Sequence, residues 1–444
     1  MNKEFHKKQN FFSFSDIDSE RKDRIMKFTS TEATPAPHVP PGVLRLTGAA
    51  KEDIPMYRIQ TMNKISPVGL NRFPSELYEV GDAAQDPQGI LVRSAKLLDL
   101  EFNPSLLAIA RAGVGVNNIP LDRCAAAGIP VFSTPGANAN AVKELVICAM
   151  LMGSRDIPGA IRWVREQAAS GVDVSTVVEK GKSAFIGPEL YKKTLGIIGL
   201  GAIGSIVANT AISLGMDVYG YDPFLSVDTA LRLDRHVHVV KDINDLYKRS
   251  DYITMHIHYT EKTAHMIDAD AIAAMKRGVR VINLARGEIV DDEAMLTALD
   301  TGMVAAYITD FPNNRLLTAP HVIAMPHLGA STPESEQNCA AMAVDTLRDY
   351  LESGNIRSSV NLPEMTMDRS GVQRLCVLHK NVPGMLANIT SLFGRDGVNV
   401  ENLSNKSRGD YAYTMVDLGS KVGDNVIEDV RRTANVIRVR SLEW

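Results

Sequence analysis

From Met56 onward the chain alternates short runs of consecutive apolar, β-branched positions with longer stretches in which apolar residues recur every three or four places. That texture predicts parallel strands buried on both faces, with helices laid over them. Residues 89–93 and 107–111 read as strands and 142–153 as a long apolar helix. A second series follows at 195–200, 217–221, 252–256, 279–283, 305–309 and 322–325, with helices such as 291–299 between the strands. That is the number expected of a doubly wound dinucleotide domain. A helical stretch over 333–351 stops at Ser353-Gly354, and a linker carrying Pro363 follows.

Residues 371–444 change texture and read strand, helix, strand, strand, helix, strand. An alternating strand over 373–380 is broken at Pro383-Gly384, an amphipathic helix covers 385–394, and 410–418 is a further strand. The predicted architecture is α/β: a doubly wound parallel-sheet domain inserted in a smaller α/β domain, followed by a small βαββαβ domain of α+β type. The predicted boundaries are 56–150, 151–330, 331–362 and 371–444. Residues 1–55, with a Pro-rich run at Pro35, Pro37, Pro40 and Pro41 and no sustained period, are expected to be mostly disordered, with a short helix near 18–28 and Met56 as an alternative start.

Composition narrows the partners. Forty-eight Lys and Arg against 52 Asp and Glu leave a formal charge of −4, so no overall basic field invites nucleic acid or an anionic membrane. The longest apolar stretch, near 145–153, is about half of the roughly 20 residues that a membrane span needs. Cys124, Cys148, Cys339 and Cys376 show no paired spacing of the kind metal sites use, which predicts reduced thiols, no metal and a cytoplasmic location.

Three short stretches carry chemistry. Gly199-Leu200-Gly201-Ala202-Ile203-Gly204 lies between an apolar strand and a helix. There Gly199 permits the tight turn, Gly201 admits a pyrophosphate to backbone N–H groups, and Gly204 lets helix and strand pack closely. Asp222 ends the next strand, 18 residues after Gly204, where a carboxylate accepts from ribose hydroxyls and repels a 2′-phosphate, which favours NAD over NADP. In the stretch 283–291 an apolar strand delivers Arg286 to a turn before a helix, and a guanidinium there faces the ligand crevice with geometry suited to a carboxylate. At 325–332 another strand end delivers His327, whose imidazole is the natural acceptor of a hydroxyl proton as hydride leaves the same carbon.

With Arg93-Ser94, the run from Arg111 to Ile119, and Thr134-Pro135-Gly136-Ala137-Asn138 in the same order along the chain, these motifs resemble the D-isomer-specific 2-hydroxyacid dehydrogenases over 56–444. The resemblance implies that Arg286 holds the substrate carboxylate and His327 is the acid/base. It implies that the backbone of Arg93–Ala95 and of Val114 and Gly115 binds the carboxylate, with Arg93 near a phosphate-bearing end, Ser94 beside it and Asn138 in the same pocket. It also places Asp310 against the nicotinamide amide, and Ala202, Ile203, His256 and Ala285 along the cofactor. The implied domains are substrate-binding over 56–150 and 331–362, and dinucleotide-binding over 151–330.

Two departures stand out. The family usually carries a Glu about five residues after the Asp310 position, hydrogen-bonded to the histidine, and the stretch 310–315 has none. Either Glu334 or Glu336 orients His327, or the imidazole works unpaired. His258 replaces a customary Pro after His256. The stretch 378–386 resembles the strand-to-helix turn of ACT domains, which implies an L-serine effector touched by His379, Asn381 and Asn399, and a homo-oligomer. The implied reaction is oxidation of a phosphorylated 2-hydroxy acid, D-3-phosphoglycerate, to 3-phosphooxypyruvate at the start of serine synthesis. The alternatives are a hydroxypyruvate or glyoxylate reductase and an NAD-sensing co-regulator without turnover.

Overall fold

The computed structural model describes residues 56–444, so the expectations for 1–55 lie outside the described residues. Helices of seven residues or more are numbered here α1 to α9. The first sheet holds β1 (Tyr57–Met62), β2 (Tyr78–Gly81), β3 (Gly89–Val92), β4 (Ala108–Arg111) and β5 (Val131–Phe132), all parallel, in the order β2-β1-β3-β4-β5. From it the chain enters α1 (Ala139–Arg155), then α2 (Ile157–Ala169) and α3 (Val174–Gly181).

The second sheet is wholly parallel and seven-stranded. It holds β6 (Thr194–Ile198), β7 (Asp217–Tyr221), β8 (Val237–Val240), β9 (Tyr252–Met255), β10 (Val279–Asn283), β11 (Val304–Thr309) and β12 (Val322–Ala324), in the order β12-β11-β10-β9-β6-β7-β8. Between its strands run α4 (Ala202–Ser213), α5 (Ile243–Arg249) and α6 (Asp292–Asp300). The order reverses between β6 and β9, so the crevice for a ligand opens at the carboxyl ends of those strands. Val142, Val146, Ala149 and Met150 of α1 are buried with Leu195, Ile197 and Ile308 of this sheet. Helix α1 thus packs on this sheet along a stretch that runs up to the predicted boundary at 150/151.

Helix α7 (Pro333–Ser353) returns the chain to the first sheet, where Leu347 and Tyr350 join Ile59, Leu91 and Phe132 in one core. Thr332 caps its start by accepting the Ser335 amide, and Gly354 at φ 74° ends it in a left-handed turn that a glycine adopts without strain.

The last domain holds β13 (Gln373–Lys380), α8 (Met385–Arg395), β14 (Val400–Arg408), β15 (Tyr411–Leu418), α9 (Asp424–Arg432) and β16 (Val436–Glu443). Its antiparallel sheet has the order β14-β15-β13-β16. One face carries α8 and α9 over Leu375, Val377, Ile389, Phe393 and Val430. The other face adds Cys376, Leu378, Tyr413 and Met415 to the core around Leu347 and Tyr350. β13 is therefore buried on both faces, and even Arg374 is inaccessible, paired with Asp417 through two hydrogen bonds of 2.5 and 2.7 Å.

This domain and the linker before it also take the carbonyls at the end of α7, where intrahelical N–H partners run out after Gly354 N bonds Tyr350 O. Arg440 donates to Tyr350 O (3.1 Å) and Leu351 O (2.9 Å), Arg369 to Glu352 O (2.9 Å), Arg374 to Ser353 O (2.8 Å), and the Tyr413 hydroxyl to Gly354 O (2.7 Å). Cationic donors at a helix carboxyl end also oppose its dipole.

Candidate active site

The chemistry-bearing residues leave the carboxyl ends of successive strands of the second sheet. After β6 the chain turns at Gly199, φ 91°, where a Cβ would lie 2.6 Å from the His256 carbonyl oxygen. A Cβ at Gly204 would fall 1.9 Å from the Gly199 oxygen, whereas nothing stands within 4 Å of one at Gly201. The turn is thus closed against the protein at Gly199 and Gly204 and open at Gly201. Gly201 caps α4 without a side-chain acceptor, so the amides of Ala202 and Ile203 at the positive end of the helix are suited to an anion. After β7, Asp222 accepts from Leu200 N (2.9 Å) with Oδ2 and from Phe224 N (2.8 Å) with Oδ1. The carboxylate is thereby fixed beside the glycine turn with lone pairs to spare.

After β9 stands His256, whose Nε2 meets the Thr254 hydroxyl at 3.2 Å, and burial pushes this imidazole down to about 4. After β10, the buried Asn283 holds the turn from inside. Its Oδ1 accepts from Ala285 N (3.1 Å) and its Nδ2 donates to Arg286 O (2.8 Å), which presents Arg286 at the crevice. After β11, Asp310 is buried, and its Oδ2 accepts from Gly329 N at 3.1 Å while Oδ1 has no partner. Burial raises its carboxyl above the ordinary range. An orphaned buried acceptor at this point is what an incoming amide N–H would satisfy. The open Gly201, the uncapped helix start, Asp222 and the Asp310 oxygen together fit a dinucleotide.

Across the crevice, the strand ends of the first sheet supply cations. Arg93 follows β3 and pairs with Glu336 of α7 at 2.5 Å. Arg111 ends β4 and donates to Arg93 O at 2.9 Å. Desolvation pushes the Arg111 guanidinium down, and the positive neighbours Arg286 and Arg93 push the same way. A Cβ at Gly115 would lie 3.4 Å from Arg286 Nη2 and 3.7 Å from Arg111 Nη1, so the Val114-Gly115 backbone runs beside both guanidinia. Asn138 starts α1 with its Oδ1 buried and unpartnered. The amides of Ser94 and Ala95, expected to hold a carboxylate, here donate to Asn63 Oδ1 at 3.0 and 2.6 Å. Among the described residues the carboxylate donors left are the Val114-Gly115 backbone on this wall and Arg286 facing it.

Sequence reasoning quoted Arg111 only as part of a motif and overlooked both its charge and Asn63. The signal for Arg111 was the one that found Arg286, an arginine directly at the end of a buried strand. Asn63, at φ 74°, has none.

After β12, His327 sits at φ 48° with its amide donating to Asp310 O at 2.9 Å, and its ring lies exposed at the cleft. Among the described residues no carboxylate hydrogen-bonds the imidazole. Glu336 takes Arg93 instead, which leaves the unpaired imidazole of the two expected arrangements. The ring packs on Phe311, centroids 4.8 Å apart at 49°, and the same Phe311 ring lies 5.9 Å from Arg286 Cζ. Arg286 and His327 thus converge on one aromatic side chain.

The residues expected to touch an effector are spread over two environments. His379 is buried, with Nδ1 at 2.8 Å from Lys380 O and Nε2 at 2.8 Å from Thr414 Oγ1. Asn381 and Asn399 are exposed, bonded to Gly409 O and Glu401 Oε1. Among the described residues all four cysteines are free, no group of three His, Cys, Asp or Glu is placed to hold a metal, and no helix is long and apolar enough to cross a membrane.

Residues 147–329 match the family model for the D-isomer specific 2-hydroxyacid dehydrogenase, NAD binding domain. Similar curated proteins include D-3-phosphoglycerate dehydrogenases from Synechocystis (35% identical, 71% of this chain and 56% of that one), Escherichia coli (33%, 76% and 82%) and Haemophilus influenzae (31%, 82% and 88%). The chain spans between half and two thirds of the Synechocystis and Bacillus subtilis proteins, 56% and 60%. Among solved structures, NAD+-bound 3-phosphoglycerate dehydrogenase from Entamoeba histolytica is 26% identical with a TM-score of 0.54, covering 69% of this chain and 99% of that one.

Proposed function

Because the chain belongs to the D-isomer specific 2-hydroxyacid dehydrogenase family, we propose that it oxidises D-3-phosphoglycerate to 3-phosphooxypyruvate with NAD, the first step of L-serine synthesis. The observation that carries this reading is the gathering of Arg93, Arg111 and Arg286 at the crevice, where among the described residues Glu336 is the one carboxylate paired with any of them. A site with that surplus of positive charge suits a small substrate that is anionic at both ends.

Arg286 and the Val114-Gly115 amides hold the substrate carboxylate, and the Arg286 guanidinium draws electron density from the C2 oxygen. Arg93 and Arg111 take the phosphate, the substrate displacing Glu336 from Arg93. His327 accepts the C2 hydroxyl proton on a ring nitrogen. Bound NAD supplies the hydride acceptor. The start of α4 and Gly201 hold its pyrophosphate, Asp222 its adenosine ribose, and Asp310 Oδ1 its carboxamide.

The C-terminal βαββαβ domain is ACT-like and takes L-serine as effector, with the exposed Asn381 and Asn399 as its contacts. The enzyme works as a homo-oligomer in the cytoplasm. Supporting the assembly, α2 and α3 bury none of their own residues and expose Ile161, Val164 and Val178. The four free thiols suit a reducing compartment.

The test is NADH appearance with a panel of 2-hydroxy acids, phosphorylated and not, with the keto product trapped. Arg286→Ala should lower kcat/KM for D-3-phosphoglycerate by about 10²–10⁴-fold, the equivalent of two charge-assisted hydrogen bonds of about 1.5–3 kcal/mol each. A change within a few-fold overturns the assignment. Serine titrated against the parent and Asn381→Ala, both full length, tests regulation, and a flat response of the parent removes it.

A further inference from the structure

Proton transfer needs an imidazole held in one orientation, and the usual device is a hydrogen bond to its second nitrogen. No carboxylate provides one here among the described residues, and two polar side chains of the loop after Asp310 are engaged elsewhere. Asn313 donates to Asp292 at 2.7 Å, and Arg315 pairs with Glu293, so this loop is tied to α6 and not to His327. What touches His327 is the one aromatic residue of that loop. Phe311 has its amide fixed by the Thr309 hydroxyl at 3.0 Å, and its ring meets the imidazole at 4.8 Å. Its Cβ would lie 3.4 Å from a Cβ at Gly287, the residue after Arg286, and the Arg286 guanidinium lies over its ring.

We propose that Phe311 is a positioning residue for the dehydrogenase reaction, its ring setting both the imidazole plane of His327 and the aim of Arg286 in place of a hydrogen-bonded carboxylate. Offset and tilted aromatic contacts are directional, and a cation over the ring adds to them. One half-buried ring contacts both partners, so base and carboxylate anchor keep their spacing together. This rests on the dehydrogenase reading above, and its test separates the two.

Phe311→Leu and Phe311→Tyr are compared with the parent as full-length proteins, first by NADH affinity and melting temperature, then by turnover. Phe311→Leu should leave NADH affinity within about twofold, lower kcat at least tenfold and raise KM a few-fold. Phe311→Tyr should stay within about threefold of the parent. Independently of any substrate, carbethoxylation of His327 by diethyl pyrocarbonate, followed by peptide mass spectrometry, should run at least threefold faster in Phe311→Leu and at the parental rate in Phe311→Tyr. Unchanged labelling and kcat in Phe311→Leu, or equal damage in Phe311→Tyr with NADH binding intact, would overturn the role. A parent that leaves D-3-phosphoglycerate untouched overturns the substrate reading, while the labelling comparison still decides Phe311.

Discussion

Asp222→Asn separates the geometric from the electrostatic work of one side chain. Both oxygens of Asp222 accept backbone amides, from Leu200 at 2.9 Å and Phe224 at 2.8 Å. An asparagine keeps one acceptor and presents its NH2 to the other amide, so one bond is lost at a net cost of about 0.5–1.5 kcal/mol. That loss loosens the glycine turn for either cofactor and should lower kcat/KM with NAD by about 2- to 13-fold. The removed charge relieves repulsion for NADP alone, while the ribose hydrogen bond of either cofactor loses its charge assistance. Two unit charges about 4 Å apart repel by about 1 kcal/mol in bulk water and about 4 kcal/mol at an effective dielectric of about 20. For a half-buried carboxylate the ratio of kcat/KM for NAD to that for NADP should therefore narrow by about 10- to 100-fold. Initial rates with each cofactor at saturating hydroxy acid measure it. A ratio that stays within twofold of the parent would refute the electrostatic account even if both rates fell.

Glu336→Gln should release Arg93 for the substrate. Since an exposed pair is worth about 0.2–1 kcal/mol, KM for the phosphorylated acid should fall by up to about fivefold, with unphosphorylated acids unmoved, and a rise contradicts the reading. Asp310 is raised by burial, so the folded state holds its proton more tightly than the unfolded chain and loses stability as pH climbs through that range. Asp310→Asn should accordingly melt higher than the parent near neutral pH, lose that advantage on acidification and bind NAD more weakly; a neutral-pH melting point below the parent's contradicts it. Asp417→Asn strands the Arg374 charge in the core and should cost about 3–5 kcal/mol in urea unfolding; a loss under about 1 kcal/mol would show the pair to be dispensable.

The parallel sheets were legible because buried parallel strands are continuous apolar runs, and those read at 89–93 and 252–256 match β3 and β9 to within one residue. β1 buries only Ile59 and β8 is an exposed edge, so neither stood out, while α2 and α3 carry apolar stripes that this chain leaves unburied. Glycine turn, Arg286 and His327 were readable since each follows a strand directly. The neighbours of His327 were not, because they depend on the path of the loop at 311–315 and on which partner Glu336 prefers.

Helix α7 ends in carbonyls bound by the C-terminal domain and begins six residues beyond His327. At about 1.5 Å per residue it is a rod of about 30 Å with His327 near one tip and the C-terminal domain gripping the other. Removing that domain would therefore fray the end of α7 and lay the shared interior around Leu347 and Tyr350 open to water.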